Sequence, residues 1–158
     1  MKRSVLVAGI GNVFCGDDGF GVEVARRMAK EPLPEGTAVV DVGVRSVHLA
    51  FDLLSASYDM LVLVDAVSRG GAPGTLYVLD VDDAPRLARE PFSDAHGLTP
   101  GAVLAAVKAL GGEPPLTRVV GCEPECVDEG MELSEPVARA VGPAIEMIRS
   151  LIEREVAR

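Results

Sequence analysis

A chain of 158 residues, 48% of them hydrophobic, suffices for one packed domain that buries about 70% of its unfolded surface. Fifteen basic against twenty-four acidic residues leave a net charge of −9, which speaks against nucleic acid and anionic membrane surfaces as partners. No apolar run reaches the roughly 18 residues of a membrane span, and the three cysteines are too few and odd in number for a disulfide framework.

The chain opens on SVLVAGIGN. Val5, Leu6 and Val7 make the unbroken apolar run of a strand buried on both faces of a parallel sheet, predicted over about residues 4–9. Glycines and Asn12 break this run early, which makes it a poor signal peptide, and the expected location is cytoplasmic. Gly9 and Gly11 let the chain turn sharply at the strand's carboxyl end. Phe20, Val24, Ala25 and Met28 recur at helical spacing, so a helix is expected over about 18–30, entered through the adjacent carboxylates Asp17 and Asp18. EPLPEG is a loop, and residues 37–41 read as a second strand. Val47, Leu49, Ala50, Leu53 and Leu54 give a helical pattern over 46–55. Residues 60–64 form a third strand that ends at Asp65. The loop SRGGAPG leads to a fourth strand over 75–79. That connection is too short for a parallel crossover, so the fourth strand should run antiparallel to the third, making the sheet mixed.

Residues 81–98 are polar, contain proline and show little periodicity; a loop of this length in a compact domain is often functional, and it carries His96. Thr99 and Pro100 make a helix start, AVLAAVKAL follows, and Gly111-Gly112 ends it. Residues 116–120 are a fifth strand. Ser134 is placed to cap the last helix, whose Val137, Val141, Ile145, Ile148 and Ile152 share a face. Gly142-Pro143 should kink or interrupt that helix. With no internal repeat and no linker, the order βαβαββαβα predicts one α/β domain over residues 1–158, with helices covering a five-stranded, mostly parallel sheet.

Three positions stand out chemically. Ligands of open α/β sheets bind beyond the carboxyl ends of the strands, where Asp17 and Asp18 sit. One of the two is expected to cap the first helix. Asp65 ends the apolar run LVLVD at the same sheet edge, where a charge is desolvated unless paired or metal-bound. His96 lies in DAHGL, just before a helix start. Two carboxylates and an imidazole from separate strand ends can form a metal site that only the fold assembles, and three protein ligands leave positions open to substrate. These donors do not select one metal. A dinucleotide reading fails: the third glycine position of G-x-G-x-x-G falls on Phe14, and two carboxylates at the helix entrance repel a pyrophosphate. No G-x-S-x-G elbow exists, and no cysteine adjoins a histidine in sequence. Cys122 and Cys126 form C-x3-C without a second Cys or His pair, a weak zinc signal. Cys15 reads as a packing residue, and His48 as a surface or packing residue.

The segments GIGNVFCGDDGFGV, YDMLVLVDAVSRGGAPGTLYVLD, DAHGLTPGAVLAAV and VVGCEPE, in this order over nearly the whole chain, resemble the [NiFe]-hydrogenase maturation endopeptidases. The resemblance implies a three-layer α/β/α sandwich with a five-stranded twisted sheet. It implies removal of a short C-terminal extension from the hydrogenase large-subunit precursor after nickel insertion. It places the metal-contacting trio on Asp18, Asp65 and His96, where some members carry Glu at the first position. It implies nickel carried by the precursor as the recognition element, with no permanently bound metal. Two other mechanisms remain at this point: Asp17 or Asp18 as a metal-free general base, and a non-catalytic chaperone that senses the nickel-loaded subunit. GVRSVH at 43–48 is expected to shape the cleft, with Arg45 available to a peptide carboxylate or backbone. The acidic balance fits a monomer.

Overall fold

The computed structural model describes residues 3–43, 49, 52–53, 55–80, 100–130 and 132–156. His48, Arg45 and His96 lie outside the described residues. The order is β1 (Val5–Ile10), a 3-10 turn (Gly16–Gly19), α1 (Phe20–Ala29), β2 (Thr37–Gly43), β3 (Met60–Ala66), β4 (Leu76–Asp80), α2 (Pro100–Ala109), β5 (Leu116–Cys122) and α3 (Glu135–Val156). Leu49, Asp52, Leu53 and Ser55 are helical, in keeping with the pattern read over 46–55.

The sheet order is β2-β1-β3-β5-β4. β1, β2, β3 and β5 are mutually parallel, and β4 is antiparallel. Alternate residues of the central strands face opposite cores, as a strand's period of two requires. Val5, Val7, Val62 and Val64 join Phe20, Val24 and Met28 of α1 and Val137, Val141, Ile145, Ile148 and Ile152 of α3. Leu6, Ala8, Leu61 and Leu63 face the other way, towards Leu49 and Val103 of α2. The sheet is thus covered on both faces, the α/β architecture expected. All of β1 is buried, which is why its sequence is apolar at every position rather than alternating.

Three local expectations change. The fourth strand does run against the third, but β5 lies between them, and β4 pairs with β5. The connection is too short for a helix yet long enough to step across one strand. It is guided by bonds from Val67 N–H to the Cys122 carbonyl (2.9 Å) and from Gly74 N–H to the Glu123 carbonyl (2.8 Å). α3 runs without interruption through Pro143. Pro143 and Arg139, whose carbonyl loses its helical donor, both sit on the exposed side of the helix, while the opposite face is buried. Ser134 does stand at the start of α3, its carbonyl accepting the Ala138 N–H, but its hydroxyl turns away to Asp17. α2 begins at Pro100 and closes as expected, with Gly111 at φ +88° and Gly112 N–H on the Val107 carbonyl.

α1 approaches the sheet through glycine. A Cβ on Gly21 would strike the carbonyls of Val64 and Ile10, backbone atoms of β3 and β1 that cannot move aside. Gly21→Ala should therefore cost about 3 kcal/mol or more of unfolding free energy, read by urea titration; an unchanged midpoint would show that α1 can shift outward at no cost.

Candidate active site

The connection after β1 goes to β2 on one side, while the chain leaving β3 goes towards β5 and β4 on the other. The crevice between the carboxyl ends of β1 and β3 is therefore the switch point where open α/β sheets bind ligands. Asp18 comes from the turn after β1 and Asp65 from the end of β3, and the structure brings them together there.

The turn is compact because of Gly11. At φ +122°, its backbone passes so close to the turn that an added Cβ would collide with the Asp18 carbonyl and lie 3.3 Å from Asp65 Oδ1. The side chain of Asn12 then accepts the Phe14 N–H at 2.9 Å, and the Asn12 N–H donates to Asp18 Oδ2 at 2.8 Å. Asp18 is half-buried. Asp65 is 6% exposed, and its Oδ1 accepts the Ala66 N–H at 2.8 Å. Burial first, and the nearby charge of Asp18 second, hold the Asp65 carboxyl well above the ordinary carboxylate range, against the opposing Ala66 bond. Two carboxylates forced together out of water form a site that a cation or a proton relieves.

The adjacent aspartates divide their work. The N-cap of α1 is Gly19, so the expected cap of that helix by one of the aspartates is not made by the residue at that position. Asp17 is fully buried and reaches across the sheet end instead. Its Oδ2 accepts the Glu125 N–H (2.8 Å), the Cys126 N–H (3.0 Å) and the Ser134 hydroxyl (2.8 Å), and its Oδ1 accepts the Ser134 N–H (2.7 Å). Burial would raise the Asp17 carboxyl, but the bonds from Cys126, Ser134 and Glu125 outweigh it and hold it below its ordinary value. The Asp17 carboxylate is thus held as an anion by four structural hydrogen bonds.

Among the described residues no group of three His, Cys, Asp or Glu is gathered as a metal site; of the predicted trio, Asp18 and Asp65 are described and His96 is not among the described residues. The cysteines separate: Cys122 packs in the core, its thiol pushed up to about 12 by burial and by Asp17 and Glu123, whereas Cys126 is exposed and its thiol donates to Asp128 at 3.4 Å. Burial, Asp18 and Glu129 raise the Cys15 thiol as well. A cavity of about 590 Å³ opens elsewhere, between α1 and edge strand β2, lined by Arg26, Lys30, Val40, Asp41 and Asp52.

Sequence reasoning gave no role to Glu123. It is buried, and its Oε1 accepts the Arg69 N–H (2.8 Å), the Gly71 N–H (3.0 Å) and the Tyr77 hydroxyl (2.8 Å). The signal was present: VVGCE, like LVLVD, is an apolar strand that ends in an acid.

Paired carboxyl groups at the switch point repel a pyrophosphate, which sets this α/β sheet apart from a dinucleotide-binding fold. A family model described as hydrogenase maturation protease matches residues 22–151. The hydrogenase 2 maturation protease of Escherichia coli is 31% identical over 146 residues, 91% of this chain and 87% of that protein. The hydrogenase expression/formation protein HoxM of Azotobacter vinelandii is 32% identical over 156 residues, 97% of this chain and 74% of that protein. Among solved structures, the hydrogenase maturating endopeptidase HybD of E. coli superposes with a TM-score of 0.83 at 29% identity, covering 96% of this chain and 93% of that one. The [NiFe] hydrogenase maturation protease HycI of Thermococcus kodakarensis gives 0.77 at 26% identity, covering 96% and 94%. The chain belongs to the hydrogenase maturation protease family.

The raised Asp65 carboxyl has a consequence for stability. The folded state holds its proton more tightly than the unfolded chain does, so folding loses stability as pH rises from the ordinary 3.8 through the folded value. Asp65→Asn keeps the oxygen that accepts the Ala66 N–H and removes the charge. In metal-free protein its melting temperature at pH 7 should exceed wild type, with the gain gone below pH 3.8. A gain that persists there would assign it to packing instead.

Proposed function

We propose that this protein is an endopeptidase that removes the C-terminal extension of a [NiFe]-hydrogenase large-subunit precursor after nickel insertion. The observation that supports the reading most is the meeting of Asp18 and Asp65 at the switch point, two carboxyl groups from separate strand ends whose mutual repulsion a bound cation would relieve. In this reading the nickel belongs to the substrate. Asp18, Asp65 and His96 complete its coordination when the precursor docks, since carboxylate and imidazole both suit nickel. Docking through the metal fixes the scissile bond beside the crevice, and orientation of that kind removes a large share of the barrier to peptide hydrolysis. A precursor without nickel offers nothing for the three side chains to grip and is left uncut.

Soluble partners, a monomeric state and the cytoplasm complete the proposal. None of the described helices is long and apolar enough to cross a membrane, and the three free cysteines suit a reducing compartment.

The test is a processing assay with nickel-loaded and nickel-free precursor, the products weighed by mass spectrometry. Loss of a C-terminal peptide from the loaded form alone is expected. His96→Ala should slow that cleavage about a hundredfold or more. Cleavage of both forms, or near-wild-type rates without His96, would move the chemistry onto the carboxylates alone. Tight binding of the loaded form without a cut would favour a chaperone.

A further inference from the structure

β1 and β5 are not neighbours, because β3 lies between them. The loops that leave their carboxyl ends are nevertheless joined. Gly16 N–H donates to the Gly130 carbonyl (2.8 Å), Gly130 N–H to the Phe14 carbonyl (2.9 Å) and Asp17 N–H to the Cys126 carbonyl (2.9 Å). The Asp17 carboxylate adds four bonds to Glu125, Cys126 and Ser134. The 3-10 turn also packs on β3. The turn that carries Asp18 is therefore drawn across the end of the strand that carries Asp65.

The same short segment grips the far side. Glu123 collects Arg69 N–H, Gly71 N–H and the Tyr77 hydroxyl, donors from the loop that leaves β3 after Asp65 and from β4. Its backbone N–H donates to the Thr75 carbonyl at 2.8 Å, and its carbonyl accepts the Gly74 N–H at 2.8 Å. Glu123 through Cys126 is thus held at one end by the loop after β3 and at the other by Asp17.

We infer that the segment Glu123–Cys126 is a strut that sets the spacing of Asp18 and Asp65, with Asp17 and Glu123 as positioning residues at its two ends. This rests on the proposed reading of Asp18 and Asp65 as the site. The physical need is clear from the charges. Asp18 and Asp65 repel each other, and a turn anchored only on β1 would swing outward and relax. Asp17 opposes that movement because its carboxylate accepts through both oxygens from Glu125, Cys126 and Ser134.

The test uses Asp17→Asn, which keeps the shape but puts an amide nitrogen where a donor must be accepted. Two readouts are taken on the purified full chain. The first is the backbone amide of Asn12, which donates to Asp18 Oδ2 and so reports the position of Asp18 without any substrate. Its hydrogen exchange should accelerate about tenfold or more. The second is cleavage of nickel-loaded precursor per folded molecule, where kcat should fall about tenfold or more with KM changed less than threefold. Ile148→Val, in the core of α3 and away from the strut, should leave both readouts as in wild type. Should Asp17→Asn fail to fold, Ser134→Ala removes one donor of the four and should move both readouts the same way by a smaller factor. Exchange of Asn12 and kcat within twofold of wild type in Asp17→Asn, or in Ser134→Ala where that is the variant measured, would overturn the strut. Equal effects from Ile148→Val would reduce it to general stability and overturn it too. A wild type that never cuts loaded precursor would sink the endopeptidase reading alone, since the Asn12 amide still decides on the strut.

Discussion

The Asp17 carboxylate is the anchor on which the geometry of this sheet end depends. A fully buried anion is tolerated only when its lone pairs are met, and here four donors meet them. Hydrogen bonds to a charged group contribute roughly 1.5–3 kcal/mol each, so a set of this kind offsets both the burial of Asp17 and the repulsion between its neighbour Asp18 and Asp65. Donors and acceptor lie more than a hundred residues apart in the chain, so the site closes only when β5 and the start of α3 are in place. Until then, the turn that carries Asp18 is held only by its local bonds, from Asn12 N–H to the carboxylate and from Asp18 N–H to the Cys15 carbonyl.

The rest of the fold supplies a rigid floor for that closure. β1 and β3 are buried along their length between two apolar layers, and burial of each Val or Leu side chain contributes about 1.5–3 kcal/mol. Glycine lets the parts approach. Gly21 brings α1 onto the backbone of β3, and Gly11 lets the turn cross its own path beside Asp65. The core carries the stability, and the carboxylates at its rim consume part of it. The raised Asp65 carboxyl records that cost: burial and the nearby Asp18 both disfavour its charged form.

Much of this was legible from residues alone, for reasons that differ by element. The strands of LVLVD and SVLVAGI declared themselves because both faces are buried, and an unbroken apolar run records that directly. The end of α2 at Gly111-Gly112 was legible because a left-handed terminus requires glycine. The burial of Asp65 was legible because an acid that ends such a run sits at the rim of the core. The continuity of α3 through Pro143 was not, since proline's cost is local while the apolar face that outweighs it is spread over five turns. The insertion of β5 between β3 and β4 was not either, since loop length limits the direction of the next strand but not which strand it pairs with.

By itself, the sequence determined which segments are strands or helices, that the sheet is mixed, and that acids stand at the carboxyl ends of its strands. Periodicity, turn residues and apolar runs act over a few positions, and those properties are written there. Tertiary structure alone decided that the Asp17 carboxylate turns to the far loop while that of Asp18 stays with the Asn12 N–H beside Asp65. The two are adjacent and chemically identical, and only the donors that Glu125, Cys126 and Ser134 bring from the other end of the chain tell them apart.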